Sequence, residues 1–231
     1  MKKDSFEACI YLKPLILAFE KAANEKEAKG MKAYMLNQFE FYGIKTPQRD
    51  SIVKAFLKIN RIQKYTELEK VVKYMWSQRE REWQYAAIDL LASHIILWRA
   101  NVINLIEYCL VHKSWWDAVD GIGSDWFPKY FSLFPEKQNS ITQKWNKSNN
   151  MWLQRSSILF QRSYKKNTNT QLLSNYILQH KSSKEFFIQK AIGWALREYS
   201  KTNSEWVVSF VEQNKLAPLS KREALKRIKT Q

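Results

Sequence analysis

Glycine and proline are scarce, five of each in 231 residues. That is too few for the frequent turns of a β-sandwich or barrel and favours long helices, so an all-α chain is expected. Cysteine is nearly absent. Cys9 and Cys109, taken with His94, His112 and His180, show no metal-ligand spacing, so neither a metal nor a structural disulfide is expected. No apolar run reaches the roughly 18 residues that a membrane span requires. The apolar N-terminal stretch IYLKPLILAF is interrupted by Lys13 and lacks a signal-peptide cleavage pattern. A cytoplasmic protein without membrane partners is therefore expected.

Acid is also in short supply. Lys and Arg total 38 against 22 Asp and Glu, a formal charge of +16. Such an excess attracts polyanions and points to salt-dependent binding of nucleic acid. The apolar fraction of 45% is ordinary for a globular protein and sufficient for a substantial core.

The helices can be placed from periodicity and punctuation. Apolar residues from Phe6 to Phe19 recur at helical spacing over 6–23, with Pro14 expected to break or kink the segment. A second helix is expected over 26–41, stopping near Gly43. GIKTPQRD then supplies a start, with Thr46 as N-cap and Pro47 in the first helical position. That N-terminus, beside Lys45 and Arg49, would suit a phosphate, although a plainly capped surface helix fits the same residues. Further helices are expected at 65–77, 80–95, 100–112, 114–133, 136–147, 150–165, 168–180, 183–200, 204–214 and 219–229. The breaks fall at SNN, NTNT, KSSK, KTNS and APLS. No linker divides the chain, so one domain over 1–231 is expected.

The stretch KSWWDAVD, from Lys113 to Asp120, sets two tryptophans and two carboxylates together before Gly121 and Gly123. On a helix Trp116 and Asp120 are four apart and share a face. A buried tryptophan beside a capping or ion-pairing aspartate would explain the pair equally well. The array also has a period. WQYAAI from Trp83, LQRSSI from Leu153 and IQKAIG from Ile188 align on their glutamines, and Gln154 to Gln189 is 35 positions, half the interval from Gln84 to Gln154. The same register places further members at Val119 and Ala224. Two helices in about 35 to 40 residues is the signature of an α-solenoid of the HEAT type. In that register Asp120, Arg155 and Lys190 are equivalent positions, and Trp116 and Trp194 flank them by one turn. A cationic strip with an aromatic at each end and one carboxylate within it suits a DNA backbone approached by a reactive group. An Asp–Arg ladder that only joins repeats is the plainer alternative. The other tryptophans, at 76, 83, 98, 126, 145, 152 and 206, are expected in the core between helices.

SWWDAVD, MWLQRSSILFQ, SSKEFFIQKAIGWALREY and LAPLSKREA, with YGIKTPQR nearer the N-terminus, resemble the AlkD family of bacterial alkylpurine DNA glycosylases, HEAT-like repeat proteins. The resemblance extends over nearly the whole chain. It implies hydrolysis of the N-glycosidic bond of cationic 3-alkyladenine and 7-alkylguanine in duplex DNA, without base flipping. By position it implies Asp120 as the catalytic carboxylate, Trp116 and Trp194 as sugar-contacting residues and Arg155 as a phosphate contact. Candidate DNA-binding residues are, besides Arg155, Lys190 and Arg197, Lys45, Thr46 and Arg49, the SSK of Ser182, Ser183 and Lys184, and the group Ser220, Lys221 and Arg222. No cofactor is implied, and a monomer needs no partner subunit to hold DNA. Two other readings are a non-catalytic DNA- or protein-binding module and a Schiff-base lyase acting through Lys190.

Overall fold

The computed structural model describes residues 6–228, so residue 229, the last of the expected 219–229 helix, lies outside the described residues. Among the described residues the chain is all-α, without a strand. It divides into two compact units, residues 1–113 and 114–231. No helix among the described residues is long and apolar enough to cross a membrane.

The first unit holds α1 (Ala8–Ala22), α2 (Glu25–Tyr34), α3 (Thr46–Ile59), α4 (Tyr65–Ser77), α5 (Glu82–Ser93) and α6 (Val102–Val111). Pro14 does not break α1. It lies exposed, while Leu12, Leu15 and Phe19 are buried on the opposite side and anchor the helix beyond it. The second helix is shorter than the expected 26–41. It ends at Tyr34 because Leu36 and Asn37 take left-handed backbone conformations, φ 53° and 57°, that an α-helix cannot continue through. The third begins one residue earlier than expected, with Lys45 at the cap and Thr46 already helical.

Gly43 is required where it stands: its φ is +84° and an added Cβ would lie 2.1 Å from the Asn24 carbonyl oxygen. The turn it makes is held by Glu82, whose buried carboxylate accepts hydrogen bonds from the backbone N–H groups of Tyr42, Gly43 and Ile44. Helix α5 packs on α3 and α4, and α1 on the same two. Trp76 and Trp83, 1% and 2% exposed, fill the space between them.

The second unit holds α7 (Trp116–Leu133), α8 (Gln138–Asn146), α9 (Met151–Leu159), α10 (Thr170–His180), α11 (Phe186–Tyr199), α12 (Ser204–Gln213) and α13 (Pro218–Leu225). Helix α7 continues through Gly121, Gly123 and Pro128, its core face carrying Ala118, Val119, Ile122 and Trp126. Helix α9 stops at Leu159 rather than running to 165. The chain turns there and forms a single 3₁₀ turn at Lys165–Asn167, with Lys165 at φ 52°. Alternate helices stack in order: α7 on α9, α9 on α11, α11 on α13. Helices α8 and α10 pack on α9, and α12 on α11 and α13.

The repeated glutamines have a shared mechanical role. The Nε2 of Gln84 donates to the carbonyl of Gln78, that of Gln154 to Ser148 and that of Gln189 to Ser183, at 3.2, 2.7 and 2.9 Å. Each amide closes the turn that leads into its own helix, six residues back, and satisfies a carbonyl that the turn leaves unpaired. Val119 and Ala224, at the intervening positions, are buried at 2% and 0% exposure and serve the core instead.

Candidate active site

Three helices of the second unit bring side chains to one place. Trp116 is the first residue of α7, and Asp120 follows one turn later. Helix α9 is started by Asn150, whose Oδ1 accepts from the N–H groups of Trp152 and Leu153 at 2.9 and 3.2 Å, and it carries Arg155. Helix α11 carries Phe186, Phe187, Lys190, Trp194 and Arg197. These residues line an open cleft of about 340 Å³, with Asp120 in its wall.

Arg155 ties the three helices together. Its Nε donates to Asp120 Oδ1 at 2.9 Å and its Nη2 to Oδ2 at 2.7 Å, while Nη1 donates to the Phe187 carbonyl at 2.8 Å. The guanidinium is thus engaged on α7 and α11 at once, and Arg155 is only 3% exposed. Expected to hold a phosphate, it turns its donors to protein acceptors. Burial pushes the Asp120 carboxyl above its ordinary pKa, against the opposing pull of Arg155 and, more weakly, Arg162. The bidentate guanidinium favours the carboxylate form.

Below the cleft, Glu223 of α13 accepts from Lys190 at 3.1 Å and from Arg197. Both cations also line the cleft. Burial works to raise the Glu223 pKa, but its two cationic partners more than offset this and hold it below the ordinary glutamate value. Gly193 permits that contact between helices: an added Cβ there would come 2.4 Å from the Glu223 Cβ.

The remaining candidates are spread more widely. Ser220 is 0% exposed and donates to the Gln189 carbonyl at 2.9 Å, so its hydroxyl is committed to the α11–α13 contact and does not reach a phosphate. Lys221 and Arg222 are exposed on α13. Ser182 and Lys184 are exposed ahead of α11, where the Ser183 hydroxyl accepts from the Glu185 N–H at 3.2 Å. Lys45, Thr46 and Arg49 belong to the first unit. Lys45 pairs with Glu27 at 2.9 Å, and Arg49 lies 4.7 Å over the Tyr85 ring and pairs with Asp50. Trp152, buried as expected, forms with Trp115 and the cleft-lining Phe187 an aromatic cluster with ring centroids 5.0 to 6.0 Å apart.

The family model for the DNA alkylation repair enzyme matches residues 15–228. The chain belongs to the DNA alkylation repair enzyme family. A solved structure described as a predicted DNA alkylation repair enzyme from Enterococcus faecalis is 34% identical, with a TM-score of 0.84, over 90% of this chain and 98% of that one. Among curated proteins none matches. DNA is thus the partner of this alkylation repair protein, in keeping with its charge of +16.

Two residues at this repair protein's site stand outside the candidate residues expected from the sequence. Phe186, which lines the cleft, is 56% exposed. Arg162, beyond the end of α9, stacks its guanidinium 4.1 Å over the Trp194 ring. A cationic side chain at that distance from an indole is a direct contact with the ring, and it is visible only once the chain is folded.

Proposed function

We propose that this DNA alkylation repair protein is a monofunctional DNA glycosylase that excises cationic N3- and N7-alkylated purines from duplex DNA, as a monomer and without a cofactor. The observation that carries the reading is a single carboxylate, Asp120, lining one cleft with two tryptophans, Trp116 and Trp194. Cleavage of a neutral glycosidic bond calls for a second carboxyl group to protonate the leaving group. A purine alkylated at N3 or N7 already carries a positive charge. It departs with the glycosidic electron pair as a neutral base, so one carboxylate suffices.

In this mechanism the C1′–N bond breaks ahead of water attack, and positive charge grows on the deoxyribose. Asp120 stabilises that charge electrostatically and orients the water, whose oxygen bonds to C1′ as its proton passes to the carboxylate or to solvent. Trp116 and Trp194 present electron-rich rings to the same developing cation. Lys190 and Arg197 hold backbone phosphates, and Arg155 fixes the carboxylate by its two hydrogen bonds. The cleft is open and the base need not leave the helix to be reached from the sugar side. A complex with lesion DNA showing the modified base lodged in a protein cavity would exclude this mode.

The test is release of free 7-methylguanine from methylated duplex DNA by the wild type and by Asp120→Asn at matched DNA occupancy. Release by the wild type and its loss in the variant support the glycosylase. The Asp120–Arg155 pair also fits a non-catalytic DNA-binding module, in which it would only join helices. No release by either protein, with DNA still bound, would establish that second reading.

A further inference from the structure

Arg162 is drawn into the site by three separate contacts. Its guanidinium carbon lies 4.1 Å from the Trp194 ring centroid, whereas that of Arg155 lies at 6.0 Å, near the limit for such an interaction. Its Nη2 donates to the Ser124 hydroxyl, which in turn donates to the Asp120 backbone carbonyl at 2.6 Å. It also lines, with Asp120 and Ser156, a small cavity beside the carboxylate. One side chain therefore touches a cleft tryptophan and is linked through Ser124 to the turn of α7 that carries the carboxylate.

Its charge makes this placement informative. A second cation close to a centre where positive charge develops is electrostatically unfavourable, so it calls for a compensating role. The charge has two carboxylates in reach, Asp120 and Glu198, which offset only part of the cost of its partial burial. What the guanidinium supplies in return is geometry. Stacked on the indole, it holds the ring in one orientation, as a planar cation does better than an ammonium group.

We propose that Arg162 is a positioning residue for Trp194 and Asp120, acting through the stacked indole and the Ser124 relay and not through a DNA phosphate. Its effect on rate rests on the glycosylase reading above. Its effect on the tryptophan does not.

The test has two arms, run on Arg162→Gln and Arg162→Lys. In the first, the Trp194 indole N–H resonance is assigned by its loss in Trp194→Phe. Arg162→Gln broadens or multiplies that resonance, and Arg162→Lys, which keeps the cation, restores part of the single-state signal. An unchanged resonance in Arg162→Gln would overturn the proposal. In the second, single-turnover base release falls about tenfold in Arg162→Gln while DNA affinity and its salt slope stay at wild-type values. Combined with Trp194→Phe the loss is less than additive, because both changes remove one interaction. A weaker affinity, a salt slope reduced by about one and an unchanged rate would mark Arg162 as a phosphate contact instead. If the wild type releases no base, the glycosylase reading fails, and the resonance alone decides what Arg162 does to Trp194.

Discussion

Arg155 grips both oxygens of Asp120, Nε to Oδ1 at 2.9 Å and Nη2 to Oδ2 at 2.7 Å, with side chains only 4% and 14% exposed. This pair is at once a joint between α7 and α9 and the setting of the carboxylate. A buried ion pair adds little net stability over apolar packing, but removing one partner strands the other. Arg155 therefore favours the ionised form of Asp120, against the burial that raises its pKa.

The first prediction concerns charge removal. Asp120→Asn keeps the shape of the side chain but leaves Arg155 one acceptor in place of two, and loses the negative charge. Base release falls by about 10²- to 10³-fold, the scale of removing one preorganised electrostatic group. DNA affinity, measured by anisotropy, stays the same or rises, since a charge that repels phosphate is gone. A variant that releases base at the wild-type rate would remove Asp120 from the chemistry.

The second concerns pH. Asp120 works as a carboxylate, so release is lost as pH falls through its pKa. Burial raises that pKa above 3.8, and the acid limb of the rate profile lies correspondingly above that of an ordinary aspartate. For stability the sign is opposite. A carboxyl that binds its proton more tightly when folded contributes stability at low pH, and that contribution disappears as pH rises through the folded pKa. Arg155→Gln moves the rate limb to still higher pH and costs about 3–5 kcal/mol in urea unfolding at neutral pH.

Much of this arrangement was legible in the chain. The breaks SNN, NTNT and KTNS contain Asn150, Asn169 and Asn203, each of which caps the helix that follows through its side chain. The 35-residue period was legible because Gln84, Gln154 and Gln189 each close the same turn. The register correctly set Asp120 against Arg155, but periodicity does not say whether a guanidinium prefers a neighbouring carboxylate or a phosphate. Ser220 sits in a basic segment that reads as surface, yet the close approach of α13 at Gly193 buries it. Arg162 was hidden because it lies in the turn after Leu159, where the apolar pattern still reads as helix. The left-handed pair Leu36 and Asn37 ended α2 without a glycine to announce it.

Glu223 gives a third prediction. Its folded pKa is depressed, so its contribution to stability is present above the ordinary value of 4.5 and is lost as pH falls through the folded pKa. Glu223→Gln flattens the acid side of the stability profile and costs about 1 kcal/mol at neutral pH, since Lys190 and Arg197 are partly solvated. Thermal unfolding between pH 3 and pH 7 reads the difference. An unchanged profile would show that the two cations find other partners.

A pair of glycine substitutions tests the packing beneath the cleft. Gly193→Ala places a Cβ 2.4 Å from Glu223 Cβ and 2.9 Å from the Ser220 carbonyl oxygen, so α11 and α13 must part. The expected cost is about 1–3 kcal/mol. Gly30→Ala is the control, because an added Cβ meets nothing within 4 Å on the exposed helix α2. It is expected to stabilise by about 0.5–1 kcal/mol, and urea unfolding of the two variants should move in opposite directions.

The last prediction separates the cations of the cleft by what they touch. Lys190 and Arg197, 37% and 21% exposed at their side chains, line the cleft and can meet phosphate, although each already shares Glu223. A cation that neutralises one phosphate releases condensed counterions, so its loss lowers the slope of log K against log salt by about one. Lys190→Gln and Arg197→Gln each lower the slope by that amount and weaken binding to methylated and unmethylated duplexes alike. Arg155→Gln, studied at a temperature where it remains folded, leaves the slope unchanged, because the wild-type guanidinium donates to Asp120 and to the Phe187 carbonyl. A slope that drops in Arg155→Gln but holds in the other two would mean that DNA pulls Arg155 away from Asp120 on binding. The carboxylate would then be released from its partner only in the presence of the substrate.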